Sequence, residues 1–215
     1  MISATIGSGP RVLLLAPVRG LTAEVTRVVS ALEAFAPGRV GLGLSRDELR
    51  SLHDYFVVSE AEPIVPLTSN ETSEVRGLVR FGEVRVPNPS FVEVLRWAWS
   101  RGVPVDPLDP DDEETAALFA EHIGYLELVR RTVRERRVAR TPPAPSSADE
   151  FALAWDREIA SGRGSRDYAA ARDQHLVDRI PTLSTDRGPI AVVVDRERFD
   201  SVRALLTQGP PTTIA

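Results

Sequence analysis

The sequence contains neither cysteine nor lysine, and all 26 of its basic residues are arginine. The lack of cysteine excludes disulfide bonds, thiolate metal ligands and a cysteine nucleophile. The lack of lysine excludes a Schiff-base lysine and the lysine of a Walker phosphate-binding loop. Several common classes of catalytic and nucleotide-binding site are therefore ruled out by composition alone.

Long apolar runs and a strong charge bias are also absent. No stretch approaches the ~18 consecutive apolar residues of a membrane-spanning helix. Residues 1–9 lack the charged and apolar regions of a signal peptide, so we expect them to be a frayed lead-in. The net charge of −5 argues against general nucleic-acid binding. We expect a soluble, cytoplasmic protein that binds neither membranes nor nucleic acid.

Residues 11–52 organise the chain, because their pattern predicts a strand, a helix, a second strand and a second helix. The strands are the short apolar runs at 11–16 and 40–44. The second helix begins with a capping box, in which Ser45 and Glu48 satisfy each other's backbone N–H groups. Two strands joined by a helix should be parallel, with a right-handed crossover.

The order of strand and helix patterns along the whole chain predicts one α/β domain, in which helices cover a mixed or mostly parallel central sheet. This domain spans residues 1–215, with a helical insertion at about 109–161 and a tail at 207–215. A hairpin through 81–82 is the alternative to a helix over 71–81. The other predicted elements are helices over 22–35, 91–101, 109–138, 165–180 and 198–206, a helix opening at 147, and strands over 103–106 and 190–195.

Helix starts are indicated by Ser, Thr and Asp residues, whose side chains accept hydrogen bonds from unpaired backbone N–H groups. In the helix that opens at 147, Phe151 and Trp155 are predicted to be buried against the main core. The predicted caps are Thr22, Asp109 followed by Pro110, and the capping boxes of Ser90 with Glu93 and Ser147 with Glu150.

Charged residues follow several of the predicted strands. Ligands of open α/β sheets bind beyond the carboxyl ends of the strands. These charged residues form either an ion-paired cluster that holds loops together or a substrate site, and the sequence leaves both open. They are Arg19, Asp106, Asp109, Asp195 and Arg196.

Other charged or metal-ligating residues give weaker signals. His53, His122 and His175 are too far apart in sequence to form a helical metal-binding pair. The arginine-rich stretch 130–140 is interpreted as a solvated helix face, with a surface for RNA or lipid as the alternative.

Several segments carry a family pattern. Residues 14–19 correspond to a strand that is followed in the pattern by Gly-x-x-His. Residues 40–44 correspond to the next strand, which carries a glutamate in the pattern. Residues 171–180 match a helix of the pattern, and Arg172 falls at the position where that helix carries an arginine. Residues 102–109 match a strand of the pattern that ends in aspartate. On these residues the chain resembles the TraB/PrgY family, which is related to the Tiki and GumN proteins and to the EreA/ChaN-like superfamily.

The chain differs from this family at the positions that carry its chemistry. Ala16, Arg19 and Gly43 stand in place of the motif glycine, histidine and glutamate, and residues 193–196 lack the second Gly-x-x-His. In Tiki-like members these histidines and the glutamate are thought to serve metal-dependent peptide cleavage. Arginine cannot replace a neutral imidazole or a carboxylate as a metal ligand.

The resemblance therefore implies an EreA/ChaN-like fold that has lost metal-dependent hydrolase activity and binds a small anionic ligand or a protein partner. No catalytic residue, metal ligand or cofactor is assigned, although a divalent metal stays open. Arg172 is expected to pair with Asp106, Asp109 or Asp195. The proposed ligand-binding residues are Arg19, Glu71, Asp106, Asp109, Arg172, Asp195 and Arg196.

Two alternatives remain open at this point. The first is a metal-dependent hydrolase or peptidase of the same superfamily with a relocated site, whose metal would need Asp106, Asp109, Asp195 or Glu71. The second is a structural protein that self-associates through its long helix, with a homodimer as the simplest assembly.

Overall fold

A computed structural model describes residues 1–6, 11–58, 69–183 and 188–208. They form an α/β fold with a five-stranded sheet of order β1-β2-β5-β3-β4. All neighbouring strands are parallel except the pair β1 and β2, which confirms the predicted mixed, mostly parallel sheet. The strands are β1 (Ile2–Ile6), β2 (Val12–Ala16), β3 (Arg39–Leu42), β4 (Val105–Pro107) and β5 (Ile190–Val193).

Helices connect and cover these strands, and within the described ranges none is long and apolar enough to cross a membrane. The helix alternative over 71–81 is confirmed, because α3 and a following 3-10 turn occupy this region. The helices are α1 (Val25–Phe35), α2 (Arg46–Val58), α3 (Ser69–Leu78), α4 (Pro89–Arg101), α5 (Asp112–His122), α6 (Tyr125–Arg140), α7 (Ala148–Ile159), α8 (Arg163–Arg179) and α9 (Phe199–Gln208).

Residues 2–6 form a strand, so the prediction of a frayed lead-in is wrong for them, and residues 7–9 lie outside the described residues. β1 pairs antiparallel with β2 over its full length, from Ile2 opposite Ala16 to Ile6 opposite Val12. Its apolar residues alternate with Ser3 and Thr5, as in a strand with one buried face. This short alternation is the signal that the sequence interpretation missed.

The single helix predicted over 109–138 is also wrong, because α5 and α6 are separate helices. Ile123 is extended at the end of α5, and Gly124 is the extended N-cap of α6. Glycine disfavours a helix interior through its backbone entropy, so it is a natural point for this break.

Two of the predicted helix caps are replaced by neighbouring residues. Asn88, not Ser90, caps α4, because Pro89 occupies the first helical position and the Asn88 side chain accepts a hydrogen bond from the Ser90 N–H at 3.2 Å. Asp111, not Asp109, caps α5, where it forms a capping box with Glu114.

The other cap predictions have mixed outcomes. The Ser45 and Glu48 capping box of α2 is confirmed by both of its hydrogen bonds. Ser147 caps α7 as predicted, although Glu150 reaches back to Ser146. Thr22 caps no helix, since it lies within a 3-10 turn that precedes α1.

The sheet is covered on both faces, which explains why its central strands are continuous apolar runs. Leu13 and Leu15 of β2 pack in a cluster with residues of α1, α2 and α4. Val12, Leu14 and Ala16 point to the other face and pack with residues of α8 and α9.

A third apolar cluster joins the segment after β2 to helices α3, α6 and α7. Val18 and Leu21 pack there with Leu78, Phe151 and Trp155. Phe151 and Trp155 are buried, as predicted, and their rings stack at 5.6 Å. The helical segment after β4 is thus packed against residues that follow a central strand.

Gly77 of α3 is expected to be essential for this third cluster. A Cβ at this position would lie 2.2 Å from Cζ of the fully buried Phe151. Gly77→Ala should therefore lower the free energy of unfolding by about 1–3 kcal/mol through overpacking, measured by urea unfolding with tryptophan fluorescence.

Gly124→Ala is the matched control, because a Cβ there meets no atom within 4 Å. It should cost less than about 1 kcal/mol. Equal effects of the two changes would show that the close packing of α3 on Phe151 is not a stability determinant.

Candidate functional site

The carboxyl ends of the four parallel strands meet at one edge of the sheet, where a cleft of about 540 Å³ opens. Its walls come from the loops after β2 and β3, from α2 and α3, and from the segment that precedes α4. Its described apolar lining includes Leu44, Leu52, Val75, Leu78, Val84 and Phe91, and its polar lining includes Arg19, Asp47, Glu48, Glu71, Glu74, Arg85, Asn88 and Asp112.

Asp109 is the most buried charged group of this edge, with 2% of its side chain exposed. Nη1 of Arg198 donates to both carboxylate oxygens, at 2.7 and 2.9 Å. Arg172 also donates to Asp109, as the sequence predicted. Nε of Arg198 donates to Asp173 at 2.7 Å, so two arginines and two aspartates alternate in one network.

A second ion pair joins the loops after β2 and β5. Nη2 and Nε of Arg19 donate to Oδ2 of Asp195, at 2.5 and 3.1 Å. The Asn88 amide donates to Oδ1 of Asp195 at 3.3 Å, which links this pair to the start of α4. Arg19 and Asn88 line the cleft, and the Asp195 carboxylate lies behind them.

The remaining proposed site residues do not join one cluster. Asp106 lies within β4 opposite Gly41, where it accepts from Arg39 at 2.9 Å. Nε of Arg196 donates to the carboxylate of Asp149 in α7 at 2.8 Å. The expected charged residues therefore form separate ion pairs rather than one cluster, because side chains from adjacent positions point to different neighbours. The expected ion pairing between loops is present at Arg19 and Asp195.

Glu71 and Glu74 are one helical turn apart on α3, and both line the cleft. Glu74 forms no hydrogen bond or ion pair with any described residue, in contrast to the arginines of this edge. Burial raises the pKa of Glu74, and the carboxylates of Asp195 and Glu71 add to this rise against the opposing effect of Arg19.

Glu197 follows Asp195 in the turn after β5. Burial, reinforced by the Asp195 carboxylate, raises the pKa of Glu197 to about 8. The pKa of the Arg198 guanidinium rises although burial lowers it, because Asp109 and Asp173 favour its charged form. The edge therefore combines arginines that are each ion-paired with an aspartate and carboxyl groups whose pKa values are raised.

Sequence reasoning missed Glu74, Asn88, Asp173, Glu197 and Arg198. The Asn88-Pro89 pair was a usable signal, because asparagine before proline at the first helical position is typical of a helix start. The others lie on helices or turns that only the tertiary structure brings to the strand ends.

In the part of the chain that the structure describes, no three His, Asp or Glu side chains lie close enough together to hold a metal ion. His175 faces Glu114 at 3.8 Å, and the His53 ring packs edge-on against Trp99.

Neither a protein-family model nor a curated protein matches this sequence. The structure shows an α/β class with a sheet of the strand order given above. The TraB/PrgY resemblance and its EreA/ChaN-like detail stay predictions from the sequence.

Removing the charge of Asp109 should destabilise the protein strongly. Asp109→Asn leaves Arg198 and Arg172 without their shared carboxylate in a buried site, so we expect a loss of about 2–4 kcal/mol. Urea unfolding measures this loss.

Asp106→Asn, three residues earlier in β4, is the matched control. Its pair with Arg39 is partly exposed, so it should cost less than about 1 kcal/mol. A loss at Asp109 no larger than at Asp106 would contradict the structural role of the buried network.

Glu197 should make stability fall as pH rises. The folded state holds the Glu197 proton up to a pKa of about 8, whereas the unfolded chain releases it near the ordinary value of 4.5. The stabilisation is complete below pH 4.5 and is lost as pH rises through 8.

Glu197→Gln should flatten this dependence, leaving stability near wild type at pH 5 and raising it by about 1–3 kcal/mol at pH 9. Thermal unfolding of both proteins at the two pH values measures the difference. An unchanged pH dependence in the variant would refute the assignment.

Proposed function

We propose that this protein binds a small molecule with an apolar body and a cationic group in the cleft at the carboxyl edge of its sheet. The observation that carries this proposal is the lining of the cleft, in which apolar side chains surround the Glu74 carboxyl group, which has no hydrogen bond or ion pair with any described residue. The location agrees with the general rule that open α/β sheets bind ligands beyond the carboxyl ends of their strands.

The size and the apolar walls of the cleft suit a small organic ligand. Its volume of about 540 Å³ falls within the usual range of ~300–1,000 Å³ for such sites. Leu52 of α2, Leu78 of α3 and Phe91 of α4 are buried and line it from three helices. An apolar ligand body would gain free energy here by leaving water.

The charge of the lining favours a cationic group over an anionic one. Among the described lining residues, five are acidic and two are arginines. Arg19 is paired with Asp195, and Arg85 is paired with Glu83 at 2.8 Å. Glu74 has no such partner among the described residues, so it is the carboxylate that a ligand cation would meet.

This proposal keeps the binding function expected from the sequence but reverses the charge of the ligand. The expectation of an anionic ligand depends on free guanidinium groups at the strand ends. In the structure Arg19, Arg172 and Arg196 each donate to an aspartate. An anion would have to compete with these intramolecular carboxylates.

A matched pair of probes tests the proposal. 2-Phenylethylammonium and 3-phenylpropionate share an aromatic body and differ in the sign of their charge. We expect the ammonium compound to bind at least about fivefold more tightly at pH 7, measured by NMR titration of the backbone amides of α2 and α3. Its affinity should rise with pH as Glu74, whose pKa is raised, ionises.

Glu74→Gln should weaken binding of the ammonium probe by about tenfold and remove most of this pH dependence. Glu121→Gln is the control, because Glu121 is an exposed acid of α5 that does not line the cleft. Tighter binding of the carboxylate probe, or equal effects of the two variants, would overturn the proposal.

A further inference from the structure

A second group of acids lines the cleft where the loops after β3 and β4 reach it. Asp47 lies in the first turn of α2 and Asp112 in the first turn of α5, and both line the cleft. The two loops are joined by a hydrogen bond, in which the Asp109 N–H donates to the Leu44 carbonyl at 3.0 Å. Neither Asp47 nor Asp112 forms a hydrogen bond or an ion pair with a described residue.

The two acidic parts of the cleft lie over different strands of the sheet. Glu74 is close to Arg19 and Asp195, which follow β2 and β5, since both of these residues act on its pKa. Asp47 and Asp112 follow β3 and β4 instead. In the observed strand order, β2 and β3 are two strand spacings apart, which is about 10 Å. The cleft therefore has two acidic ends, the α3 end at Glu74 and the α2–α5 end at Asp47 and Asp112.

The helices that carry these acids also supply apolar side chains to the cleft. Leu52 of α2 lies five residues after Asp47, and Leu78 of α3 lies one helical turn after Glu74. Both leucines are buried and line the cleft. A methylene chain beside them would gain free energy by leaving water, whereas a charged group there would lose its hydration without finding a partner. The lining thus suits an apolar chain with a cation at each end.

The helix starts at the α2–α5 end do not make it an anion site. The N-terminus of a helix carries a partial positive charge of about half a unit, which by itself favours anions. The first turn of α2 contains two acids and that of α5 contains three, so their negative charge outweighs both partial charges. Arg46 begins α2 but does not line the cleft. This end therefore favours a cation.

From these observations we propose that the ligand of the cleft is an aliphatic diamine or polyamine, with one ammonium group at Glu74 and another at Asp47 and Asp112. This inference rests on the proposed function, because it adds a second cation to the ligand proposed there. An alkylammonium group such as that of lysine has a pKa of about 10, so both ends of a diamine are charged at pH 7. The flexible chain between them adjusts to the distance between the two acidic ends.

Three six-carbon probes that differ at one end test the role of the second acidic end. Hexane-1,6-diamine carries a cation there, hexylamine a methyl group and 6-aminohexanoate a carboxylate. Isothermal titration calorimetry at pH 7 and low salt measures their Kd values. We expect the diamine to bind at least about fivefold more tightly than hexylamine, and 6-aminohexanoate to bind more weakly than hexylamine.

The double variant Asp47→Asn, Asp112→Asn should remove this preference. The diamine Kd should rise to about that of hexylamine, while the hexylamine Kd stays unchanged, because only the second ammonium group meets these acids. Asp54→Asn with Glu113→Gln is the matched control, since it removes two exposed acids of the same helices that do not line the cleft, and it should leave all three Kd values unchanged. Glu74→Gln should weaken the diamine and hexylamine by about the same factor.

The outcomes separate this inference from the proposed function. Hexylamine that binds as tightly as the diamine, or a diamine preference that survives in the double variant, would overturn the diamine assignment and leave a ligand with one cation in place. If no ammonium compound binds at all, the proposed function fails and the diamine assignment fails with it.

Discussion

Two arginines share the buried carboxylate of Asp109, and this interaction connects three parts of the fold. Asp109 follows the edge strand β4, Arg198 follows the central strand β5, and Arg172 lies on α8. Burial makes each of these charges costly unless it is paired. The pairing thus sets where the loops at the carboxyl edge of the sheet lie, and with them one boundary of the cleft.

The same constraint determines the charge that the cleft offers to a ligand. Asp195 neutralises Arg19 in the way that Asp109 neutralises Arg198, so the arginines of this edge act as structural cations. Glu74 of α3 has no such ion pair with any described residue. The pairing of these arginines after folding supports the proposal that the cleft binds a cationic ligand.

Most of the helices and strands could be predicted from local patterns in the sequence. β2 and β5 were recognisable as short apolar runs that are buried on both faces, and the capping box of Ser45 and Glu48 marked the start of α2. β1 escaped notice because five alternating residues give a weak signal. The site could not be assembled from sequence, because Arg196 and Arg198 are two residues apart yet pair with aspartates from different helices and loops.

Arg19 is paired with Asp195, and we propose that the cleft therefore presents the Glu74 carboxyl to a ligand cation. The titration of the Glu74 side-chain carboxyl, followed by carbon-detected NMR in the ligand-free protein, measures this most directly. We expect a Glu74 pKa above the ordinary value of 4.5, because burial and the neighbouring carboxylates outweigh Arg19. A pKa below 4.5 would instead show that the Arg19 guanidinium dominates the cleft, and a ligand cation would then be disfavoured there.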